Sequence, residues 1–131
     1  MAFDAGASRR WLTILVVAYW LALFTATHVR RIPKALQMPG ADKWQHTVAF
    51  AGLAFLLAGR RSYGKPLTWK AVLGVACVVV VYGAFDELTQ IPVGRFAEFN
   101  DWLADTLGAL LGLSLYAGAR QVFPSLFRTA P

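Results

Sequence analysis

Seven polar residues carry whatever chemistry this sequence has: Asp42, His46, Glu87, Gln90, Arg95, Asp101 and Asp105. Asp42 and His46 are four apart, Glu87 and Gln90 three apart, and Asp101 and Asp105 four apart. On a helix each such pair shares a face. A carboxylate beside a histidine holds the imidazole in one tautomer and raises its proton affinity, which suits acid–base work or ligand binding. Arg95 suits an anionic group, and Glu87 with the Asp42–His46 pair suits hydrogen bonding or proton handling. Histidine with carboxylates also suits a divalent metal, but the spacing matches no established metal motif, so no metal and no cofactor is expected. A plainer reading stands beside these: Asp42 as a helix N-cap, and the whole set as a network that fixes helix register.

The elements that must position these residues are apolar. The chain has 131 residues, 57% hydrophobic and 15% charged. Charged residues usually make up about a quarter of a soluble domain. So short a chain could not cover this much apolar surface in water, and a bilayer removes the problem. Four apolar stretches follow, at about 11–28, 44–59, 69–88 and 101–119, each opened at or beside a tryptophan: Trp11, Trp44, Trp69 and Trp102. Tryptophans at span ends fit an interfacial belt. The expected fold is all-α, an integral membrane four-helix transmembrane bundle. The second stretch is at the short limit for a span.

Local patterns refine the faces. Glu87 and Gln90 share one face near the end of the third stretch, with Asp86 expected to point elsewhere. A carboxylate at a helix C-terminus faces the negative end of the dipole and needs a partner, for which Arg95 and His46 are candidates. Asn100 reads as the N-cap of the fourth helix, with Asp101 in its first turn. Asp105, Gly108 and Gly112 continue the Asp101 stripe, and Gly108-x3-Gly112 is a small-residue packing face. That stripe turns Asp105 into the bundle, where it needs a partner or a proton.

With four spans, one side of the membrane holds Arg9, Arg10, Arg60, Arg61, Lys65, Lys70, Arg120 and Arg128, and the other holds Arg30, Arg31, Lys34, Lys43 and Arg95. The positive-inside rule then puts both termini in the cytoplasm. The expected layout is a cytoplasmic N-terminal segment at 1–10, the transmembrane domain at 11–119 and a cytoplasmic tail at 120–131. Acidic residues are more one-sided still. Asp4 alone falls inside, whereas Asp42, Asp86, Glu87, Glu98, Asp101 and Asp105 fall outside, with His46 and Gln90. The net charge of +6 does not indicate nucleic acid, because the basic residues sit in pairs flanking apolar segments, as topology determinants do. "SRRWL" faintly resembles an export signal, but no A-x-A-like site follows the first apolar run, so an uncleaved helix is expected. The single Cys77 lies in an apolar run and offers neither disulfide nor thiolate site.

"DKWQHTVAFAGLAF" (Asp42–Phe55) and "DELTQIPVGRFAEFNDWLADTLGALLG" (Asp86–Gly112) resemble the two signature segments of VanZ-like membrane proteins. The match runs through spans two to four in order. It carries the family pattern onto Asp42, Lys43, His46, Phe50, Glu87, Gln90, Arg95, Asp101, Gly108 and Gly112, with Asp105 where the family usually has Asn. The resemblance implies a small integral protein of the bacterial cytoplasmic (inner) membrane, in a family named for a teicoplanin-resistance protein. The function expected from it is binding or sensing of a cell-envelope component, a lipid headgroup or lipid-linked cell-wall precursor, at the outward polar cluster. Two rivals belong to other classes. One is a small membrane enzyme acting on a lipid phosphate, with Glu87 or His46 as general base. The other is a structural assembly partner.

Overall fold

The structure, a computed structural model, describes residues 5–29 and 40–127. Asp4, Arg30, Arg31, Lys34 and Arg128, which enter the charge argument above, lie outside them. Helices α1 (Ala5–His28), α2 (Ala41–Arg61), α3 (Trp69–Gln90) and α4 (Phe99–Val122) follow in order, then a short α5 (Pro124–Phe127). A 3-10 turn at Ile91–Val93 follows α3. No strand occurs among the described residues.

Each helix runs longer than its apolar core. Helix α1 starts six residues before Trp11, so most of the expected N-terminal segment is helical. Helix α3 opens on Thr68, whose hydroxyl accepts the Ala71 N–H at 3.2 Å. It ends where Pro92 removes a donor and Gly94 takes a left-handed φ of 80°. Two expected caps differ. Helix α2 is capped by Gly40 without a side-chain bond, which leaves Asp42 inside the first turn. Helix α4 starts from Glu98, so Asn100 is already helical. Both carboxylates of these first turns, Asp42 and Asp101, still sit at the positive end of a dipole.

Contacts at both ends fix an antiparallel bundle. His28 Nε2 meets Thr89 Oγ1 at 3.1 Å, and the Lys43 ammonium donates to Asp101 at 2.8 Å. At the other end Arg60 Nε donates to Thr13 Oγ1 at 2.6 Å, and Ser62 Oγ shares a hydrogen bond with the Tyr116 hydroxyl at 2.8 Å. Helix α2 is the axis, with Phe50, Leu53, Ala54 and Ala58 wholly buried. Helix α4 lies hard against it. A Cβ on Gly108 would overlap the Thr47 carbonyl, and one on Gly112 the Ala51 carbonyl. Only glycine admits that approach of one backbone to another.

The outside of the bundle is apolar. Leu21, Val81, Phe85 and Leu107 are all more than half exposed. In water such a surface would drive association; in hydrocarbon it needs no cover. Residues Gly6–His28, Trp69–Val93 and Phe99–Val122 are long and apolar enough to cross a membrane. Helix α2 is not among them. Its length is sufficient, but Asp42, Lys43, Gln45 and His46 at one end and Arg60 and Arg61 at the other leave a shorter apolar middle. A helix surrounded by its neighbours needs less hydrophobicity than one that faces lipid. Trp11, Trp44 and Trp69 are exposed at helix ends, as a belt requires. Trp102 is half-buried and donates its indole N–H to the Val80 carbonyl at 3.1 Å, tying α4 to α3. Cys77 is exposed on α3.

Candidate functional site

Antiparallel packing gathers the end of α1, the start of α2, the end of α3 and the start of α4 at one end of the bundle, the acidic end. Here four carboxylates are almost wholly buried: Asp86 and Asp105 at 0% exposure, Asp101 at 2% and Glu87 at 4%. Buried ionisable groups inside a membrane protein are expensive and need partners.

His46 Nδ1 meets Asp105 Oδ1 at 2.8 Å, and its Nε2 lies 3.8 Å from Asp101 Oδ2. The carboxylate that orients His46 thus comes from α4. The expected partner, Asp42, is turned instead toward Lys43. Three carboxylates ring the Lys43 ammonium: Asp101 at 2.8 Å, Glu98 at 3.8 Å and Asp42 at 3.9 Å. The hydrogen bond that Lys43 donates to Asp101 and the surrounding negative charge hold the ammonium above the ordinary lysine pKa, against a smaller opposing effect of desolvation.

Glu87 accepts the Glu98 backbone N–H on Oε2 at 2.8 Å and the Gln90 amide on Oε1 at 3.4 Å. This answers the electrostatic difficulty of a carboxylate at the C-terminal end of α3. The loop into α4 folds back and supplies a backbone donor. Gln90 also donates to Asp86 Oδ2 at 3.0 Å. Asp86 therefore does not point away from the site. Its Oδ1 accepts from Thr27 Oγ1 at 3.0 Å and the Tyr82 hydroxyl at 3.2 Å, with His28 Nδ1 at 3.9 Å. Gln90 links two carboxylate networks, one against α1 and one against α2 and α4. Phe50 stacks between them, its ring 6.4 Å from that of His46 and 5.7 Å from that of Tyr82.

Sequence reasoning left Asp86, His28, Thr27 and Tyr82 out of this assembly, and named Lys43 only through the family pattern. A signal was there for two of them, because Tyr82, Asp86 and Gln90 follow one another at four-residue spacing on one stripe of α3. Arg95 stands apart from Glu87's hydrogen bonds. It lines a cavity of about 150 Å³ with Leu23, Thr27, Gln45, His46 and Phe50. Gly108 and Gly112 lie below Asp105 on the same stripe, against α2.

Residues 5–123 match the family model described as VanZ/LLP1. The chain belongs to the VanZ/LLP1 family. No curated protein and no solved structure gives a match. The match spans all four long helices, so the first helix, which has no signature of its own, is part of the VanZ/LLP1 unit. Membership, together with three helices of membrane-crossing length and apolarity, makes this a membrane protein. In this VanZ/LLP1 chain the family-pattern positions Lys43, His46, Glu87, Gln90 and Asp101 converge at one end, from three helices.

Proposed function

We propose that this protein crosses the bacterial cytoplasmic membrane four times, with both termini in the cytoplasm. Its acidic end faces outward and binds the anionic headgroup of an envelope lipid or lipid-linked cell-wall precursor. The observation that carries the reading is the cavity beside His46. One part of its wall is apolar, from Leu23, Ala26, Ala49 and Phe50, and the other is polar, from Thr27, Gln45, His46 and Arg95. A lipid headgroup with the first carbons of its chains has that same division. The volume of about 150 Å³ is below the roughly 300–1,000 Å³ of pockets that enclose a whole small molecule. It would admit a headgroup while the tails remained in the bilayer.

The roles follow from the donors. Arg95 supplies the permanent positive charge for a phosphate or carboxylate, and Gln45 and Thr27 supply neutral hydrogen bonds. His46, oriented by Asp105, presents an imidazole whose hydrogen bonding is fixed before the ligand arrives. Helix α2 would be the fourth span, its polar first turn at the interface beside the exposed Trp44. If the ligand is a lipid-linked cell-wall precursor, loss of the site would change tolerance of glycopeptides such as teicoplanin.

The test is a lipid-resolved native mass spectrum of the full chain in mild detergent, wild type against Arg95→Ala. The wild type should retain an anionic lipid that the variant loses. Equal lipid retention by both proteins would overturn the assignment of Arg95 and, with it, the headgroup reading.

A further inference from the structure

The acidic end contains two groups of closely spaced ligand-type side chains, and they differ in how their charge is met. In the first, Asp42, Glu98 and Asp101, the ring of carboxylates already surrounds a cation, the Lys43 ammonium. In the second, His46, Glu87 and Asp105, each residue offers one ligand atom and the three atoms lie within 4.8 Å of one another. All three residues are buried. Among the described residues, no lysine or arginine lies within salt-bridge distance of Glu87 or Asp105. Two buried carboxylates therefore share one imidazole.

A separate observation points the same way. Asp105 Oδ1 is engaged by His46, but Oδ2 is buried with no hydrogen-bond partner among the described residues. Leaving a buried carboxylate oxygen unpaired is costly, and protonating it would not help, because the new O–H would need an acceptor. Oδ2 faces α3 at Gly83, one turn before Glu87 on the same helix face; a Cβ there would sit 3.2 Å away. The orphaned oxygen is thus turned to the Glu87 side of the cluster.

We propose that His46, Glu87 and Asp105 form a binding site for a divalent transition-metal ion of the zinc–manganese class. One imidazole with two carboxylates is an intermediate donor set, harder than the thiolate sites of structural zinc and softer than the all-oxygen shells of magnesium and calcium. Modest side-chain movement would bring atoms so spaced to the about 2.0–2.2 Å of metal–nitrogen and metal–oxygen bonds. The ion supplies the positive charge that Glu87 and Asp105 lack, and Oδ2 gains a partner. Histidine ligands characteristically have the second ring nitrogen turned to a carboxylate; with Nδ1 on the Asp105 side as the ligand atom, Nε2 has Asp101 Oδ2 at 3.8 Å. Glu87 is steadied in the same way by the Glu98 N–H and the Gln90 amide. Three protein ligands leave coordination positions open, and His46 borders the cavity, so an ion here could also take an oxygen from a bound anion. The site does not require that anion, and it stands or falls separately from the headgroup reading.

The test uses the full chain, purified in detergent, stripped with EDTA and then offered zinc or manganese chloride alone. The expected result is about one tightly held ion per chain by elemental analysis. The metal should also raise the melting temperature by several degrees, since it binds the folded state. Glu87→Gln and Asp105→Asn, close in shape to the native residues, should lower metal affinity at least tenfold. Asp42→Asn, in the lysine-filled ring, should leave it unchanged. If the stripped wild type takes up neither metal at micromolar concentration and its melting temperature does not move, the proposal is wrong. Equal uptake by wild type and both Glu87→Gln and Asp105→Asn would overturn the ligand assignment. Arg95→Ala, which tests the headgroup, should bind metal normally.

Discussion

The two ends of the bundle join its helices by different chemistry. At the basic end, Ser62 and Tyr116 share a hydrogen bond, and Arg120 donates to both from a half-buried position at 3.2 and 3.3 Å. Arg60 reaches Thr13, and Arg120 also lies over the rings of Tyr116 and Phe127. The buried polar atoms there are neutral hydroxyls, and the charged groups keep access to the surface. The acidic end instead buries four carboxylates. Register between antiparallel helices can evidently be set without buried carboxylates, because the basic end does so with hydroxyls and surface-reaching arginines, and Gly108 and Gly112 bring α4 against α2. Buried charge is a poor way to gain stability, since desolvation offsets most of the attraction. The contrast therefore assigns the acidic end a second purpose, and argues against a structural role as its whole explanation.

The contrast can be broken most easily where the expected effect is largest. His46→Ala would leave Asp105 buried without its partner, and removing one member of a buried pair costs about 3–5 kcal/mol. Thermal unfolding in detergent should show that loss. If His46→Ala were neutral, Asp105 would not be held as an ionised partner and the acidic end would resemble the basic one. Next comes Gly112→Val, which pushes a side chain into the Ala51 carbonyl and should cost about 1–3 kcal/mol by separating α2 from α4. Because that seam supports both ends, amide hydrogen exchange should speed up at both. An effect confined to one end would mean that the helices move independently.

Smaller effects sharpen the comparison. Tyr116→Phe removes the buried hydrogen bond with Ser62 and the longer one from Arg120, and should cost about 1–2 kcal/mol. A loss as large as that of His46→Ala would erase the difference between the ends. Lys43→Met should be the mildest in stability, within about 1 kcal/mol, because the Lys43 side chain is 41% exposed and screening discounts its ion pairs.

Much of this architecture was legible in the residues. Long apolar runs opened by tryptophan marked the helices, and alternation of direction put six carboxylates at one end. Asp105 was read as inward from its place on the Asp101–Gly108–Gly112 stripe. What was not legible depended on a neighbouring helix. Spacing within α2 offered Asp42 as the partner of His46, since periodicity sees only contacts along one helix; the oxygen at 2.8 Å comes from α4. Asp86 was expected to point elsewhere because it lies about 100° from Glu87 around the helix. That reasoning fits a helix with one buried face, whereas α3 packs on α1 through Asp86 and Thr27 and on α4 through Glu87 and the loop before it. The caps failed for a simpler reason. Asp42 and Asn100 are good capping residues, but each helix is capped two residues earlier, at Gly40 and Glu98. Helix α2 carries too many polar residues to stand out as a span, and that is what a central helix bearing the site should look like.

We propose that the buried charges at the acidic end serve a ligand as well as the fold. The double substitution His46→Leu with Asp105→Leu replaces that buried pair by apolar groups, a change that is often neutral or stabilising. Native mass spectrometry of the folded double variant should show an intact protein that has lost the anionic lipid retained by the wild type. Ser62→Ala with Tyr116→Phe, the matching change at the basic end, should keep it. Lipid retention that is the same in both double variants would contradict the account.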